Sequence, residues 1–324
     1  MPFLAYQLSL LRCHGISDVV LSCSYLVDEV RETMGDGSRY GVELRYAIET
    51  EPLGTAGGVR NAADLVAGRV VVLNGDILTD MDLTAMLAFH AERASAATIY
   101  LTRVEDPTQY GLVEVGDGGR VLRFLEKPDP AHVTTDTVNA GIYILDPALL
   151  ARIPTGQMVS IEREFFPGLL RDRIPFHGWT GNGYWLDIGN AETYRRGQLD
   201  VLAGRVATGV APAGAGTDRR WMAEGVRLAD GVTVAAPAMV GRGSELGPDC
   251  RIGPSAVLGE RCAVGRGATV EGSVLWERVT VGDGATLRDC VVGAGARIGA
   301  SAELGAGAVV ESGAEVPRGA RLQG

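Results

Sequence analysis

The sequence predicts two folds in one chain: an α/β domain with a largely parallel sheet covered by helices, then a stacked parallel β-solenoid. Three observations carry this. Short apolar runs alternate with helical patterns over the first part of the chain. An aliphatic or aromatic residue returns every six positions from Leu228 onward. Between the two, APAGAGTDRR at 211–220 is rich in Ala, Gly and Pro. The expected organisation is a first domain over 1–203, a linker over 204–225 and repeats over 226–324.

In the first domain the strand-like runs are DVVLSCSY at 18–25, VELRYAI at 42–48, RVVVLNGD at 69–76 and AATIYLTRV at 96–104. Between them, Phe3, Leu4, Leu8 and Leu11 form a helical stripe. A further helix begins at Asp82 and carries Leu83, Met86, Leu87 and His90, with His90 expected on its surface. Strands alternating with helices call for parallel pairing.

The repeat runs through Leu228, Val234, Val240, Leu246, Ile252, Leu258, Val264, Val270 and Trp276. After five-residue steps to Val281 and, past Leu287, to Val292, it resumes through Ile298, Leu304, Val310 and Val316. Four positions after each sits a small or β-branched residue such as Ala238, Ser244, Cys250, Ala256 or Cys262. Two inward positions in six describe a short flat strand and a corner, and the frequent following glycine suits a tight turn. A disordered Gly-rich tail has no such period.

Composition narrows the function. A 324-residue chain with 46% hydrophobic residues can bury a sizeable core, and a formal net charge of −10 without Lys/Arg runs argues against a nucleic-acid partner. No apolar stretch is long enough to span a membrane and no basic leader precedes PFLAYQLSLLR, so a cytoplasmic location is expected. Cys13, Cys23, Cys250, Cys262 and Cys290 are odd in number with no CxxC pair, which reads as reduced packing residues. His14, His90, His132 and His177 all precede the repeats. That speaks against an acyltransferase using a histidine between coils and leaves the repeats a structural or oligomeric role.

VVVLNGDIL puts Asn74, Gly75 and Asp76 at the C-terminal end of a buried strand, where open α/β sheets bind ligands. Asp76 is a candidate metal ligand; the alternative is a cap for the next helix. GYWLDIG presents Asp187 as a second carboxylate, and such a pair suits one magnesium ion, whose other positions go to water and phosphate oxygens. EPLGTAGG, from Glu51 and Pro52 through Gly54 and Thr55, offers a glycine-flanked backbone to a flat base or ribose. Lys127, in FLEKP beside Glu126, is the sole lysine of the chain. A compact ammonium where every other basic position is arginine points to a crowded phosphate. Tyr110 and Gly111 in QYGLVEV, and Asn139 and Gly141 in VNAGIYIL, could hydrogen-bond a sugar.

In this order EPLGTAGG, LNGDIL, YGLV, FLEKP, NAGIYIL, SIERE-FFP and GYWLDIG resemble the nucleotide-sugar pyrophosphorylases, most closely those that make GDP-mannose. The resemblance runs from residue 2 to about 203, and the repeats extend it. It implies a Rossmann-like sheet, a left-handed β-helix, magnesium as cofactor, and nucleoside triphosphate and sugar 1-phosphate as partners. By that likeness Gly54 and Thr55 contact the base region, and Asp76 and Asp187 bind magnesium. Gly111, Glu126, Lys127 and Asn139 hold the sugar phosphate.

The implied reaction is attack of a sugar 1-phosphate oxygen on the α-phosphorus of a nucleoside triphosphate, with GTP and mannose 1-phosphate first in line. Asp76, Lys127 and Asp187 are then the catalytic set. Family members open with a strand and a GGxGTR loop that holds the triphosphate, whereas this chain starts just beyond it. A further N-terminal segment is therefore expected on the functional polypeptide. The alternative is a catalytically silent nucleotide-sugar-binding subunit that regulates a complete paralogue. Self-association through the β-helix, or a complex with a paralogue, is expected in either case.

Overall fold

In a computed structural model, residues 2–210 and 218–324 are described, and they form two compact units, Met1–Trp185 and Leu186–Gly324. Residues 211–217, inside the expected linker, lie outside the described residues.

The first unit runs α1 (Leu4–Cys13), β1 (Asp18–Cys23), α2 (Val27–Met34), β2 (Glu43–Ile48), α3 (Gly54–Ala62), β3 (Val70–Leu73), β4 (Ile77–Thr79), α4 (Leu83–Glu92) and β5 (Ala97–Arg103). It continues with β6 (Gly111–Val115), β7 (Val121–Glu126), β8 (Thr137–Leu145), α5 (Pro147–Leu150), α6 (Phe166–Arg171) and β9 (Phe176–Thr180). Two strand pairs of this unit are parallel: β1 lies on β2, and β5 on β9. The long strand β8 runs against β3, β5 and β6, and β6–β7 is a hairpin, so the central sheet reads β7-β6-β8-β5-β9 with β3 also on β8. Among the described residues no strand pairs with the free edge of β1 or of β3.

The core of this sheet is aromatic. The Phe166 ring lies 5.0 Å from Phe176, 5.1 Å from Tyr143 and 5.5 Å from Phe124, centroid to centroid. Offset and edge contacts of this kind favour one arrangement of rings beyond the area they bury. They fix β8 under the loops that leave it. On α1 the buried stripe is Ala5, Gln7, Leu8 and Leu11, with a polar residue where the period calls for an apolar one. The Gln7 amide donates to the carbonyls of Asn74 (2.7 Å) and Ile77 (3.0 Å), tying the end of β3 to the helix.

His90 departs from expectation: it is fully buried. Its Nδ1 lies 2.8 Å from Thr98 Oγ1 and its Nε2 3.4 Å from Asp146 Oδ1, so a polar ring fits inside because both nitrogens are partnered. Burial pushes its pKa below the ordinary 6.5, and the Asp146 hydrogen bond only partly offsets this. The unfolded chain therefore binds more protons than the folded one between the two values. Stability is full above about pH 6.5 and falls as pH drops toward the folded value. Urea unfolding at pH 7 and pH 5 should show this loss, and the gap should narrow in His90→Gln. An identical gap in both proteins would assign the pH dependence to other groups.

The second unit contains the end of β10 (Trp185–Asp187), then α7 (Ala191–Leu202) and eighteen short strands, β11 (Arg220–Met222) to β28 (Arg321–Leu322). These strands form three six-stranded parallel sheets, one per side of the solenoid. Ala238 stacks on Ala256 one coil later, and Leu246 on Val264. Coils of eighteen residues shorten to seventeen from Val257↔Val274 through Leu287↔Leu304, then lengthen again at Val291↔Val309. The five-residue slips in the sequence are these short coils. The first falls one residue earlier than the hydrophobic count suggests. Leu275 is buried, whereas Trp276 turns outward at 42% exposure and meets the Tyr194 ring edge-on at 6.2 Å.

Small inward residues follow from the stacking, because each coil must leave room for the next. A Cβ on Gly241 would stand 2.4 Å from the Gly259 carbonyl. Cys250, Cys262 and Cys290 fill the same interior. Burial pushes the Cys250 and Cys262 thiols up to about 11, so they stay protonated packing groups. Helix α7 lies on the solenoid wall, where Arg195 Nη1 donates to the Gly272 carbonyl (2.7 Å) and to Asp289 (2.9 Å).

Candidate functional site

The site in the first unit is built around the C-terminal end of β3 and the bend in β8. Asn74 leaves β3 with its N–H on the Gly141 carbonyl at 2.8 Å. Gly141 has φ +74°, and a Cβ there would sit 2.9 Å from the Asn74 amide nitrogen, so both the backbone and the neighbour require glycine. The Asn139 side chain completes the bend. Its carbonyl accepts from Gly141 N–H (2.9 Å), and its amide donates to the Tyr143 hydroxyl (2.9 Å). Burial first, and then the Glu162 carboxylate, push the Tyr143 phenol far above its ordinary value, so it remains a neutral donor at every working pH.

Glu162 comes from the SIERE segment, whose start is strongly specified. Ser160 caps it by accepting from Arg163 N–H at 3.1 Å, while Glu164 reaches back to Ser160 N–H at 3.0 Å. Residues Ile161–Phe165 then form a π-helical turn, a form that often occurs where a side chain must be re-aimed. Ser160 and Thr55 hydroxyls both donate to Glu162, at 2.9 and 3.1 Å.

The EPLGTAGG loop is held against the same segment. Ala56 and Gly57 N–H both donate to the Val159 carbonyl, Val159 N–H to Leu53, and Ile161 N–H to the Thr55 hydroxyl at 2.9 Å. Gly54, at φ +69°, brings the backbone so close to Val159 that a Cβ would stand 2.8 Å from its carbonyl oxygen. Thr55 therefore spends its hydroxyl on the protein itself. Glu51 and Pro52 are exposed at the mouth of the loop. Glu49, two residues earlier, braces it from behind, accepting from Leu53 N–H (3.0 Å) and the Ser22 hydroxyl (2.9 Å).

Glu126 ends β7 opposite Gly111 of β6, where a Cβ would stand 2.9 Å from its carboxylate. Burial raises the Glu126 carboxyl, and Glu162 raises it further; Lys127 and Arg163 act the other way. Two half-buried carboxylates thus lie near one another with Lys127 and Arg163 as their counter-charges, and their oxygens are acceptors for hydroxyl donors. Lys127 follows in the left-handed region at φ +45°, with an exposed side chain and its N–H on the Tyr110 carbonyl (3.1 Å). The Tyr110 ring stands edge-on to Trp185 at 5.4 Å, and the Trp185 indole N–H donates to the Ala140 carbonyl.

Asp76 is exposed beside exposed Gly75, and the cap of the following helix is Asp82, which accepts from Ala85 N–H at 2.9 Å. The capping role open to Asp76 in the sequence is thus filled by another residue. Asp187 belongs to the second unit, half-buried, with its carboxylate accepting from Gly189 N–H at 2.8 Å. Among the described residues no three His, Cys, Asp or Glu side chains come together as a metal cage. Magnesium needs only one or two carboxylates beside phosphate and water, so an exposed aspartate such as Asp76 is of the chemical type it takes.

Asn74, Asn139, Gly141, Thr55, Glu126 and Gly111 are thus joined through a few shared contacts in one unit. Glu162, Tyr143, Glu49 and Gln7 belong to that network and went unassigned in the sequence. For Glu162 the signal was present in the SIERE motif; for Gln7 it was a polar residue inside an apolar stripe.

An α/β domain with Asn74, Asn139 and the EPLGTAGG loop gathered at its strand ends, followed by a parallel β-solenoid, is the architecture to be placed among known proteins. The profile described as "Nucleotidyl transferase" matches residues 1–204, and the chain belongs to that family. The "EIF2B subunit epsilon LbH domain" profile matches residues 218–322, the solenoid. The chain is 39% identical over 206 residues to a mannose-1-phosphate guanylyltransferase of Mycobacterium tuberculosis, covering 63% of this chain and 57% of that one. It is 33% identical over 216 residues to a UTP–glucose-1-phosphate uridylyltransferase of Synechocystis, covering 62% and 56%. Among solved structures, HddC from Yersinia pseudotuberculosis matches with a TM-score of 0.53 at 27% identity, over 60% of this chain and 84% of that one. The matched region spans little more than half the length of these two curated relatives. No helix among the described residues is long and apolar enough to cross a membrane.

Proposed function

We propose that the protein transfers a nucleotidyl group from GTP to mannose 1-phosphate, releasing pyrophosphate. The observation that carries this reading is the grouping of half-buried Glu126, Asn139 and Glu162 with the buried Tyr143 hydroxyl. Carboxylates, an amide and a neutral phenol around one space are the donors and acceptors that a polyhydroxy ring asks for. The likeness to a mannose-1-phosphate guanylyltransferase supports the choice of base and sugar.

In this reading a sugar-phosphate oxygen forms a bond to the α-phosphorus while the bond to the β-phosphate oxygen breaks, and pyrophosphate leaves with that electron pair. The protein's work is alignment and charge balance. Glu126, Asn139 and Gly111 orient the sugar, and the Lys127 ammonium lies against its phosphate. The backbone of Gly54 and Thr55 receives the base, clamped by Val159 and Glu162, with Glu51, Pro52, Asn74, Gly75, Tyr110 and Gly141 lining the approach. Asp76 and Asp187 would hold magnesium, which supplies positive charge to the phosphate oxygens.

A pyrophosphate-release assay pairing each of four nucleoside triphosphates with mannose, glucose and galactose 1-phosphates tests the proposal. Highest kcat/KM for GTP with mannose 1-phosphate is the expected result. Tight nucleotide-sugar binding without turnover in any pairing would replace it with the silent-subunit reading. The cytoplasmic location and self-association remain part of the proposal. Deleting residues 226–324 should lower the mass seen by light scattering from an oligomer to a monomer, because the solenoid offers flat edges that a second copy can cover. Oligomer retained after deletion would place the contact in the first domain.

A further inference from the structure

A second polar cluster surrounds Phe89, where the end of α4, the turn at 116–120 and β9 meet. The Arg93 guanidinium stacks over the Phe89 ring at 5.4 Å, and the His177 ring meets the same phenyl edge-on at 6.3 Å. Arg120 bridges to His177 through the backbone. Its guanidinium is anchored by donating to the carbonyls of Ile174 (3.1 Å) and Arg173 (3.3 Å). His177 Nδ1 lies 2.7 Å from the Ser95 hydroxyl. Gly118 and Gly119 both lie at positive φ. A Cβ on Gly119 would strike the Gly178 carbonyl at 2.8 Å, and one on Gly118 would approach Arg93 Nη1 at 3.2 Å. The two glycines themselves thus place no side chain against Arg93 or the β9 backbone, and Asp117 is the one carboxylate of the turn.

The charge here is unbalanced. In a chain of net charge −10, most arginines find a carboxylate, yet among the described residues Arg120 and Arg173 make no ion pair. Arg93 has only Glu92, its chain neighbour, at 3.9 Å. Asp172, beside Arg173, is taken by Arg152 and Arg171. Burial and then the nearby Arg120 and Arg93 depress the His177 pKa, with no carboxylate acting against them. The imidazole is therefore neutral near pH 7 and carries one N–H, which lies on Nε2 when the Ser95 hydroxyl donates to Nδ1.

We propose that Arg93, Arg120 and His177 form a binding site for a small phosphate-bearing anion, in addition to the site described above. Two planar guanidinium groups held by stacking and by carbonyl acceptors match the oxygens of a phosphoryl group, and a neutral imidazole adds a donor without another charge to desolvate. Small size follows from the chain's overall negative charge, which repels a polyanion. The inference rests on this local geometry and does not depend on the reaction proposed for the chain.

Calorimetric titration of the full chain with sodium pyrophosphate in metal-free buffer tests it. The comparison set is Lys127→Ala, Arg93→Ala and Arg93→Lys. Arg93 is partly exposed with no buried partner, so its variants should fold, and a thermal melt verifies this. Binding should survive Lys127→Ala, weaken about tenfold or more in Arg93→Ala and recover in part in Arg93→Lys, as expected for a charge-assisted contact. Parallel titrations with orthophosphate and mannose 1-phosphate identify whether an inorganic anion or a phosphorylated sugar is the better ligand of the Arg93-dependent site. No binding at millimolar concentration, binding indifferent to Arg93→Ala, binding abolished by Lys127→Ala, or equal binding of sulfate would each overturn the assignment.

Discussion

Asp76→Asn is expected to lower magnesium-dependent turnover by about 10²–10³-fold while leaving the fold intact, and Asp187→Asn to do the same. Both replacements keep size and shape and remove the negative charge that a hard divalent cation needs. Asp76 is exposed beyond β3, and the asparagine amide occupies the same volume, so the core is not repacked. Asp187 accepts a hydrogen bond from Gly189 N–H, and an asparagine carbonyl can still accept it, so the turn after β10 should persist. The measurement is initial rate against magnesium concentration, with circular dichroism and melting temperature as the check on folding. If either variant shows near-normal magnesium dependence, that aspartate is not a ligand.

Lys127→Ala is expected to cost about 10²-fold or more in kcat/KM, and Lys127→Arg to fall between it and the native protein. The side chain is exposed and leaves a backbone at φ +45°, held by the Lys127 N–H bond to Tyr110, so the substitutions change the head group and not the chain path. Arginine keeps the charge, but its larger planar head approaches phosphate as a fork, whereas an ammonium is a point. The arginine variant should therefore lose affinity for sugar 1-phosphate. Equal affinity in all three proteins would make Lys127 an ordinary surface residue, however unusual its being the sole lysine.

Individual residues show how far the linear pattern reached. The solenoid was legible almost to the residue, because each coil packs only on its neighbours and the interior demand repeats locally along the chain. It failed at Trp276. An apolar residue at the expected spacing was read as inward, yet the shortened coil turns Leu275 in and Trp276 out toward Tyr194. His90 failed in the opposite direction. A histidine on a helix reads as a surface residue until Thr98 and Asp146, from two other segments, are seen to satisfy both of its nitrogens. The Thr55 hydroxyl bridges Ile161 and Glu162, a pairing across about a hundred positions that no local pattern signals.

By itself the sequence determined the two fold types, the β-solenoid and its two short coils, and the motifs Asn74-Gly75-Asp76, Glu126-Lys127 and Asn139-Gly141. These depend on periodicity and on residue types within a few positions of one another, which are local properties of a chain. Only the tertiary structure decided that Glu162 stands against Thr55 and near Tyr143 and Glu126. It also decided that Gln7 anchors the end of β3 and that Arg93, Arg120 and His177 gather around Phe89. These groupings join side chains up to about a hundred positions apart, and their chemistry comes from burial and from shared partners. A carboxylate or an imidazole takes on those properties only when the packed chain surrounds it.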